Sequence, residues 1–365
     1  MKVLAIIPTY GHPRYSKRIK MLKNCGFEVT ALAFKRDYHA GAPVECNTTI
    51  IGHISHGNYI KRIFILLSNI MTFRRSISNS DIVYAFESDM FYISVISGFW
   101  LKKTIVLEVG DIRPIQVKNS ILGFLIRFFD RFFINRCSLI AVTSPDFYEE
   151  YYANILNIEK EYLVIENKVA DNSLAIYDQT LPDKTSVISI GYFGLLRCKW
   201  SWEVLKLLSK NKRFRVYIAG KVFTETNMER EFSEYPEICY LGEYTQGHIR
   251  EIYNTVDIVW ASYPYEIGDQ RSLWARTNRF YEGCFYQTPM ITRLGSSDGR
   301  MVKAHSIGLC ITNQDALMVV QELSAITQSQ IKFWKSNLEN LDRSVYLQSN
   351  QDLLALKEKI EGIQR

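Results

Sequence analysis

Two arrangements of apolar and polar positions alternate along this chain. One is a short, nearly unbroken apolar run closed by turn-forming residues, and "KVLAIIPTY" at the start is the first of them. The other spaces its apolar residues three and four apart among Lys, Arg, Ser and Asn, as in "RYSKRIKMLKNCG". Continuous runs suit strands buried on both faces, and the wider spacing suits helices with one covered face. Gly26 ends the first helix and "FEVTALAF" resumes a strand. Further strands are predicted at "DIVYAF", "TIVLEVG", "SLIAVTS" and "EYLVIEN", with helices around 59–77, 88–102, 118–136 and 145–156. Strands separated by helices imply parallel pairing through crossovers.

Residues 171–186, "DNSLAIYDQTLPDKTS", lose both patterns and read as a linker. A second series follows: "VISIGYFG", a helix at 200–210, "FRVYIAG", "ICYLG", a helix at 246–254, "DIVWASYP", a helix containing Glu282, and "PMITR". The expected architecture is α/β, with two Rossmann-like domains, 1–170 and 187–340, facing across a cleft. Residues 328–361 read as amphipathic helix, and the segment 341–365 is expected to return over the domain junction toward the N-terminal domain. A length of 365 residues is comfortable for two such cores.

Composition narrows the partners. With 47% hydrophobic and 22% charged residues the chain is globular rather than disordered. A net charge of +6 fits an anionic small ligand or a phospholipid surface and is too weak to argue for nucleic acid. The seven cysteines include no C-x-x-C pair, which points to a reducing cytoplasm rather than a disulfide framework or structural zinc. The opening run lacks the length and cleavage site of a signal peptide. The longest apolar candidate, "IFILLSNIMTF", has about half the residues a bilayer span requires. The expected location is cytoplasmic, peripheral at the inner face of the cell membrane.

In doubly wound domains ligands bind beyond the carboxyl ends of the strands, and four loops there carry candidate chemistry. In "PTYGHPRYSK", Gly11 allows close backbone approach, and the following helix N-terminus suits phosphate or sugar oxygens. No G-x-G-x-x-G is present. His12 reads as a loop residue and Arg14 either as a ligand group or as a solvated first-turn charge. In "LEVGDIRP", Asp111 is a candidate general base toward an acceptor hydroxyl, or else a turn residue paired with Arg113. Glu108 is a weaker candidate, and one of Glu87 and Asp89 reads as a helix cap. In "GYFGLLRCKWSWEVL", Gly194 is expected to end a strand, and Arg197 and Lys199 before a helix make a natural diphosphate clamp. The alternative there is a solvated turn. In "ARTNRFYEGCFYQTPMI", Asn278 is the expected N-cap, Arg279 can reach phosphate, and Glu282 one turn on can accept from ribose hydroxyls. Phe280 and Tyr281 read as core.

This arrangement resembles GT-B glycosyltransferases, and is similar to glycosyltransferase family 4 and related bacterial polysaccharide-assembly enzymes. Many of these carry P-N-K-x-x-E-Y-x-A-x-G-K-P-V-I; here "TNRFYEGCFYQTPMI" keeps Asn278, Glu282 and Pro289 and departs at Thr277, Arg279 and Gln287-Thr288. Other similar stretches are "IGYFGLLRCKWSWEVL", "RVYIAG", "LGEYTQGHIREIYNTVDIVWASYP" and "CSLIAVTSPDFYEEYY", so the likeness runs in order over almost the whole chain. The resemblance implies a sugar-nucleotide donor held by the C-terminal domain and an acceptor held by the N-terminal domain. It implies that Glu282 grips the ribose while Arg197, Lys199 and Arg279 stabilise the leaving diphosphate, with no cofactor and no obligatory metal. Retaining members often carry a second upstream glutamate; Glu266 lies too far from Glu282 for that spacing and is taken as a donor-sugar contact. Gly11, His12 and Arg14 are assigned to donor sugar or acceptor. Displacement assisted by Asp111 would invert the anomeric carbon.

Two basic, aromatic stretches lie in the expected acceptor domain: "HGNYIKRIFILLSNIMTFRRS", with Lys61, Arg62, Arg74 and Arg75, and "KNSILGFLIRFFDRFFINR", with Lys118, Arg127, Arg131 and Arg136. Such helices suit an anionic lipid interface and an acceptor on a lipid-diphosphate carrier. The second stretch also reads as a helix whose apolar side faces the core. Two other functions fit the same layout: a sugar-nucleotide 2-epimerase, and a catalytically silent sugar-nucleotide-binding protein.

Overall fold

The computed structural model of the chain describes residues 1–36, 44–53, 59–170, 187–222, 231–263 and 270–364; the expected linker at 171–186 lies outside them. The chain divides into two compact units. The first comprises Met1–Glu166 and Ser349–Arg365, the second Asn167–Gln348.

The first unit is built on seven parallel strands: β1 (Lys2–Ile7), β2 (Glu28–Lys35), β3 (Asn47–His53), β4 (Ile82–Phe86), β5 (Thr104–Val109), β6 (Leu139–Val142) and β7 (Tyr162–Val164). Their order is β3-β2-β1-β4-β5-β6-β7, so the winding reverses between β1 and β4. The central strands are apolar on both faces because helices cover both: β4, "IVYAF", is buried throughout. β3 has no such run; it is a half-exposed edge strand, and the apolar pattern does not reveal it. The helices used below are α1 (Pro13–Asn24), α2 (Tyr59–Ser68), α3 (Ile70–Ser78), α4 (Glu87–Ser97), α5 (Pro114–Val117) and α6 (Ile121–Ile134). The single helix expected over 59–77 is divided at Asn69, whose side chain donates to the Ile65 carbonyl at 2.9 Å.

Helix α6 reverses the expectation of an apolar core face. Its buried residues are Gly123, Asp130 and Ile134, while Ile121, Phe124, Phe128 and Phe132 are exposed. Asp130 is the anchor: it accepts from the Tyr92 and Tyr151 hydroxyls and from Gln116 Nε2. Three donors satisfy a carboxylate that would otherwise be costly to bury.

The second unit has six parallel strands: β8 (Ile188–Leu196), β9 (Phe214–Val222), β10 (Ile238–Tyr240), β11 (Ile258–Trp260), β12 (Met290–Arg293) and β13 (Gly308–Ile311). Their order is β10-β9-β8-β11-β12-β13, with the reversal between β8 and β11. Helices α7 (Lys199–Ser209), α8 (Ile249–Asn254), α9 (Asn278–Phe285) and α10 (Ser297–His305) carry the residues of interest. Edge strand β13 is short and half-buried, and the sequence does not announce it.

The helix expected over 328–361 is two helices, Gln328–Glu339 and Asn350–Gly362, each opened by a capping box, Thr327 with Gln330 and Ser349 with Asp352. The second lies along α1 and buries Leu356 and Ile360 in the core of the first unit. Among the described residues no helix is long and apolar enough to cross a membrane. Truncating the fully buried Ile360 to Ala should cost about 2–5 kcal/mol of stability, read as a lowered urea midpoint.

Candidate active site

In the second unit the carboxyl end of β8 meets α9. Thr277, not Asn278, is the N-cap of α9: its backbone is extended and its Oγ1 accepts from the Phe280 N–H. Asn278 is the first helical residue and is exposed. This register buries Arg279. Its Nε donates to the Phe193 carbonyl and its Nη1 to the Tyr263 hydroxyl, and its guanidinium lies 5.1 Å and 5.3 Å from the ring centres of Tyr192 and Tyr263. Burial pulls this guanidinium's pKa down, but the phenols of Tyr263 and Tyr192 outweigh it and the net direction is up. Among the described residues no carboxylate pairs with Arg279.

Gly194 sits inside β8 rather than at its end, because the ladder to β9 continues through Leu196. At φ 104° it holds a backbone conformation that side chains resist, and a Cβ there would stand 3.3 Å from Arg279 Nη2. Across the ladder Gly220 is closer packed still: its Cβ would lie 1.9 Å from the Gly194 carbonyl oxygen. Glu282, one turn beyond Arg279, is half-buried and accepts from the Tyr253 hydroxyl at 2.9 Å. Burial and this carboxylate hold the Tyr253 phenol well above its ordinary pKa, so it remains a donor. Arg197 and Lys199 are exposed just beyond β8, with Lys199 opening α7 and Cys198 capping it. The structure thus joins Gly194 and Arg279 directly and puts Glu282 one helical turn away, but gives no contact linking Arg197 or Lys199 to them. Phe280 and Tyr281 are core, as expected. Glu266 lies outside the described residues.

In the first unit the loops after β1, β4 and β5 come together. Gly11 has φ 78°, and His12 caps α1, its Nδ1 accepting from the Arg14 N–H at 3.3 Å. Arg14 is not a solvated charge: it pairs with Glu87, and its guanidinium packs so tightly on Gly110 that a Cβ there would fall 1.2 Å from Nη1. Burial alone would lower the Arg14 pKa; Glu87, with Tyr15 and Glu108 behind it, raises it. Neither Glu87 nor Asp89 makes a side-chain cap; the N-cap of α4 is Phe86. Instead Asp89 receives Arg113 at 3.0 Å and also pairs with Arg62. Glu87 holds this place with φ 69°, a left-handed conformation costing a side-chain-bearing residue about 1–3 kcal/mol. Glu108 is fully buried on Arg18 at 2.7 Å and Tyr84 at 2.6 Å, which makes it structural. Asp111 is exposed on the loop between β5 and α5.

No protein-family model matches the chain. It is 25% identical over 343 residues to the succinoglycan biosynthesis protein ExoL of Rhizobium meliloti, covering 90% of this chain and 85% of that one. Among solved structures, sucrose-phosphate synthase from Thermosynechococcus elongatus aligns with a TM-score of 0.72 at 12% identity, covering 100% of this chain and 99% of that one. Anabaena HepE, crystallised in complex with UDP, aligns with a TM-score of 0.69 at 13% identity, covering 99% and 100%. With two parallel-sheet units this likeness establishes the expected GT-B fold.

Sequence reasoning missed the group that fixes the register of α9. Asp298, buried in the first turn of α10, accepts from the Thr277 N–H at 3.1 Å and hydroxyl at 2.7 Å, with Arg276 3.8 Å away. An Asp after Ser296-Ser297 reads as a routine first-turn acid, and only the fold carries it to Thr277. Burial pushes the Asp298 carboxyl from 3.8 up to about 6, against the pull of Thr277 and Arg276. The folded chain therefore holds this proton more tightly than the unfolded chain. That contribution to stability is complete below the unfolded value and lost as pH rises through the folded one, by about 3 kcal/mol. Relative to Asp298→Asn, the wild type should lose stability between about pH 4 and pH 7, measured by urea unfolding at each pH.

Proposed function

We propose that the protein is a glycosyltransferase that moves a sugar, of hexosyl type, from a nucleoside-diphosphate donor to a hydroxyl of a glycan or lipid-linked acceptor in bacterial surface-polysaccharide synthesis. The observation that carries this reading is Arg279, a buried cation held by a carbonyl, a phenol and two aromatic faces beside the bare backbone of Gly194. Among the described residues no carboxylate meets this cation, so its planar fork is available to an anionic ligand, and a diphosphate fits it. Glu282, oriented by Tyr253, accepts from the ribose hydroxyls, and Arg197 and Lys199 at the mouth of β8 screen the outer phosphate. As the sugar leaves, charge grows on the diphosphate, and fixed guanidinium donors stabilise it without a metal. Asp111 takes the acceptor's proton as the base, and Gly11, His12 and Arg14 line the sugar side. The relative ExoL belongs to succinoglycan biosynthesis and HepE was solved with UDP, so uridine donors are the first to test.

The acceptor unit also carries a surface suited to an anionic membrane. Ile121 is 84% exposed, Phe132 64%, Phe64 73% and Trp100 80%. Arg75 is exposed on α3, and Lys102, Lys118 and Arg136 are exposed in the turns after α4, α5 and α6. Apolar side chains framed by cations bind the lipid interface by burial and by charge together. We infer from this that the protein associates with the inner face of the cell membrane.

Arg279→Ala or Glu282→Ala should weaken UDP binding about tenfold or more, read by calorimetry, while Asp111→Asn should bind UDP normally and lose transfer. Transfer should survive EDTA. Turnover of the sugar nucleotide with no acceptor would instead favour the epimerase. In flotation with anionic vesicles the protein should rise with lipid, and Phe124→Ser with Phe128→Ser should weaken binding at least about tenfold; no flotation at low salt removes the membrane reading.

A further inference from the structure

Tyr244 lies in the loop after β10, and its ring packs against the buried cluster that contains Phe193, Tyr253 and Phe280. Its hydroxyl reaches the backbone of Gly194. A Cβ on that glycine would stand 3.3 Å from Arg279 Nη2 and 4.0 Å from Tyr244 Oη, so the recess over the bare glycine is walled by a guanidinium and a phenol. Arg279 uses Nε for the Phe193 carbonyl and Nη1 for the Tyr263 hydroxyl, which leaves Nη2 at the recess. Among the described residues neither Nη2 nor the Tyr244 hydroxyl makes a hydrogen bond, and neither atom is sealed from solvent. Burial, and behind it the Glu282 carboxylate, hold the Tyr244 phenol above its ordinary pKa against the pull of Arg279. The hydroxyl is therefore a neutral donor, set in the fields of Arg279 on one side and Glu282 on the other.

We propose that Tyr244 donates a hydrogen bond to the inner phosphate of the donor, the one joined to the ribose, and that with Arg279 Nη2 it holds a phosphate oxygen in the recess over Gly194. The inference rests on the reading that the second unit binds a nucleoside-diphosphate sugar, and it adds the residue that recognises the inner phosphate. Such a ligand runs from diphosphate to ribose to base. With Arg279 on the diphosphate and Glu282 on the ribose hydroxyls, the inner phosphate is the group that lies between them. The guanidinium nitrogen at the same recess favours an anionic oxygen over a ribose hydroxyl, and a phenol bonded to such an oxygen is charge-assisted. Gly194 makes the room, because a methyl there would fill the oxygen's place. Arg197 and Lys199 are then left for the outer phosphate.

The test uses the full chain and calorimetry with UDP, UMP, uridine and pyrophosphate, on the wild type and on Tyr244→Phe. The variant should bind UDP and UMP each about tenfold more weakly, because both carry the inner phosphate, and should bind uridine as the wild type does. Its melting temperature should match the wild type, since the lost hydroxyl bonds nothing in the fold. UDP weakened with UMP unchanged would move the phenol to the outer phosphate and overturn the inference. Uridine weakened as much as UDP would move it to the nucleoside and do the same. Unchanged UDP affinity, whatever the melting temperature, makes Tyr244 a structural residue and overturns the inference while the sugar-nucleotide reading stands. A wild type that binds pyrophosphate but not UDP would defeat that reading instead. Weaker pyrophosphate binding by Tyr244→Phe would then uphold the phenol as a phosphate donor, and equal binding would overturn it.

Discussion

A parallel strand covered by helices on both faces has nowhere for a charged side chain except beyond its end. That constraint organises this molecule. The central strands of both sheets are largely apolar and buried, and Glu108 inside β5 is matched by Arg18 and the Tyr84 hydroxyl. The candidate site residues lie at the carboxyl edges, at the loops after β1, β4 and β5 and at the junction of β8 with α9. The winding reverses at β1–β4 and β8–β11, where ligands of doubly wound sheets bind.

The two edges handle charge differently. In the second unit Arg279 is held by neutral partners, so its field remains available to a ligand. In the first unit the arginines are linked through Glu87 and Asp89 into a network that is already partly neutralised. Close backbone approach serves both: Gly194 stands against Arg279 and Gly110 against Arg14, so adding even one methyl at either position would strike or crowd a guanidinium.

Much of the fold was legible because a buried parallel strand writes an unbroken apolar run, and β1, β4, β5 and β8 all do so. The edge strand β3 writes no such run and is half exposed, and β13 is apolar but only four residues long. Helix α6 exposes a deeper limit. Its spacing marked a two-sided helix correctly, but periodicity cannot say which side is inward, and the tyrosine hydroxyls that draw Asp130 inside come from distant segments. That Arg279 and Glu282 share one helix was readable from their spacing. Thr277 as cap, the tie from Asp298 and the pairing of Arg14 with Glu87 were not, because each partner is fixed by the fold rather than by its neighbours in sequence.

The most direct test is a crystal structure of the chain soaked with UDP. The account expects phosphate oxygens on the Arg279 guanidinium beside the Gly194 backbone and ribose hydroxyls on Glu282. Density for the nucleotide elsewhere, with Arg279 still enclosed by Tyr192 and Tyr263 and in contact with no phosphate, would contradict it.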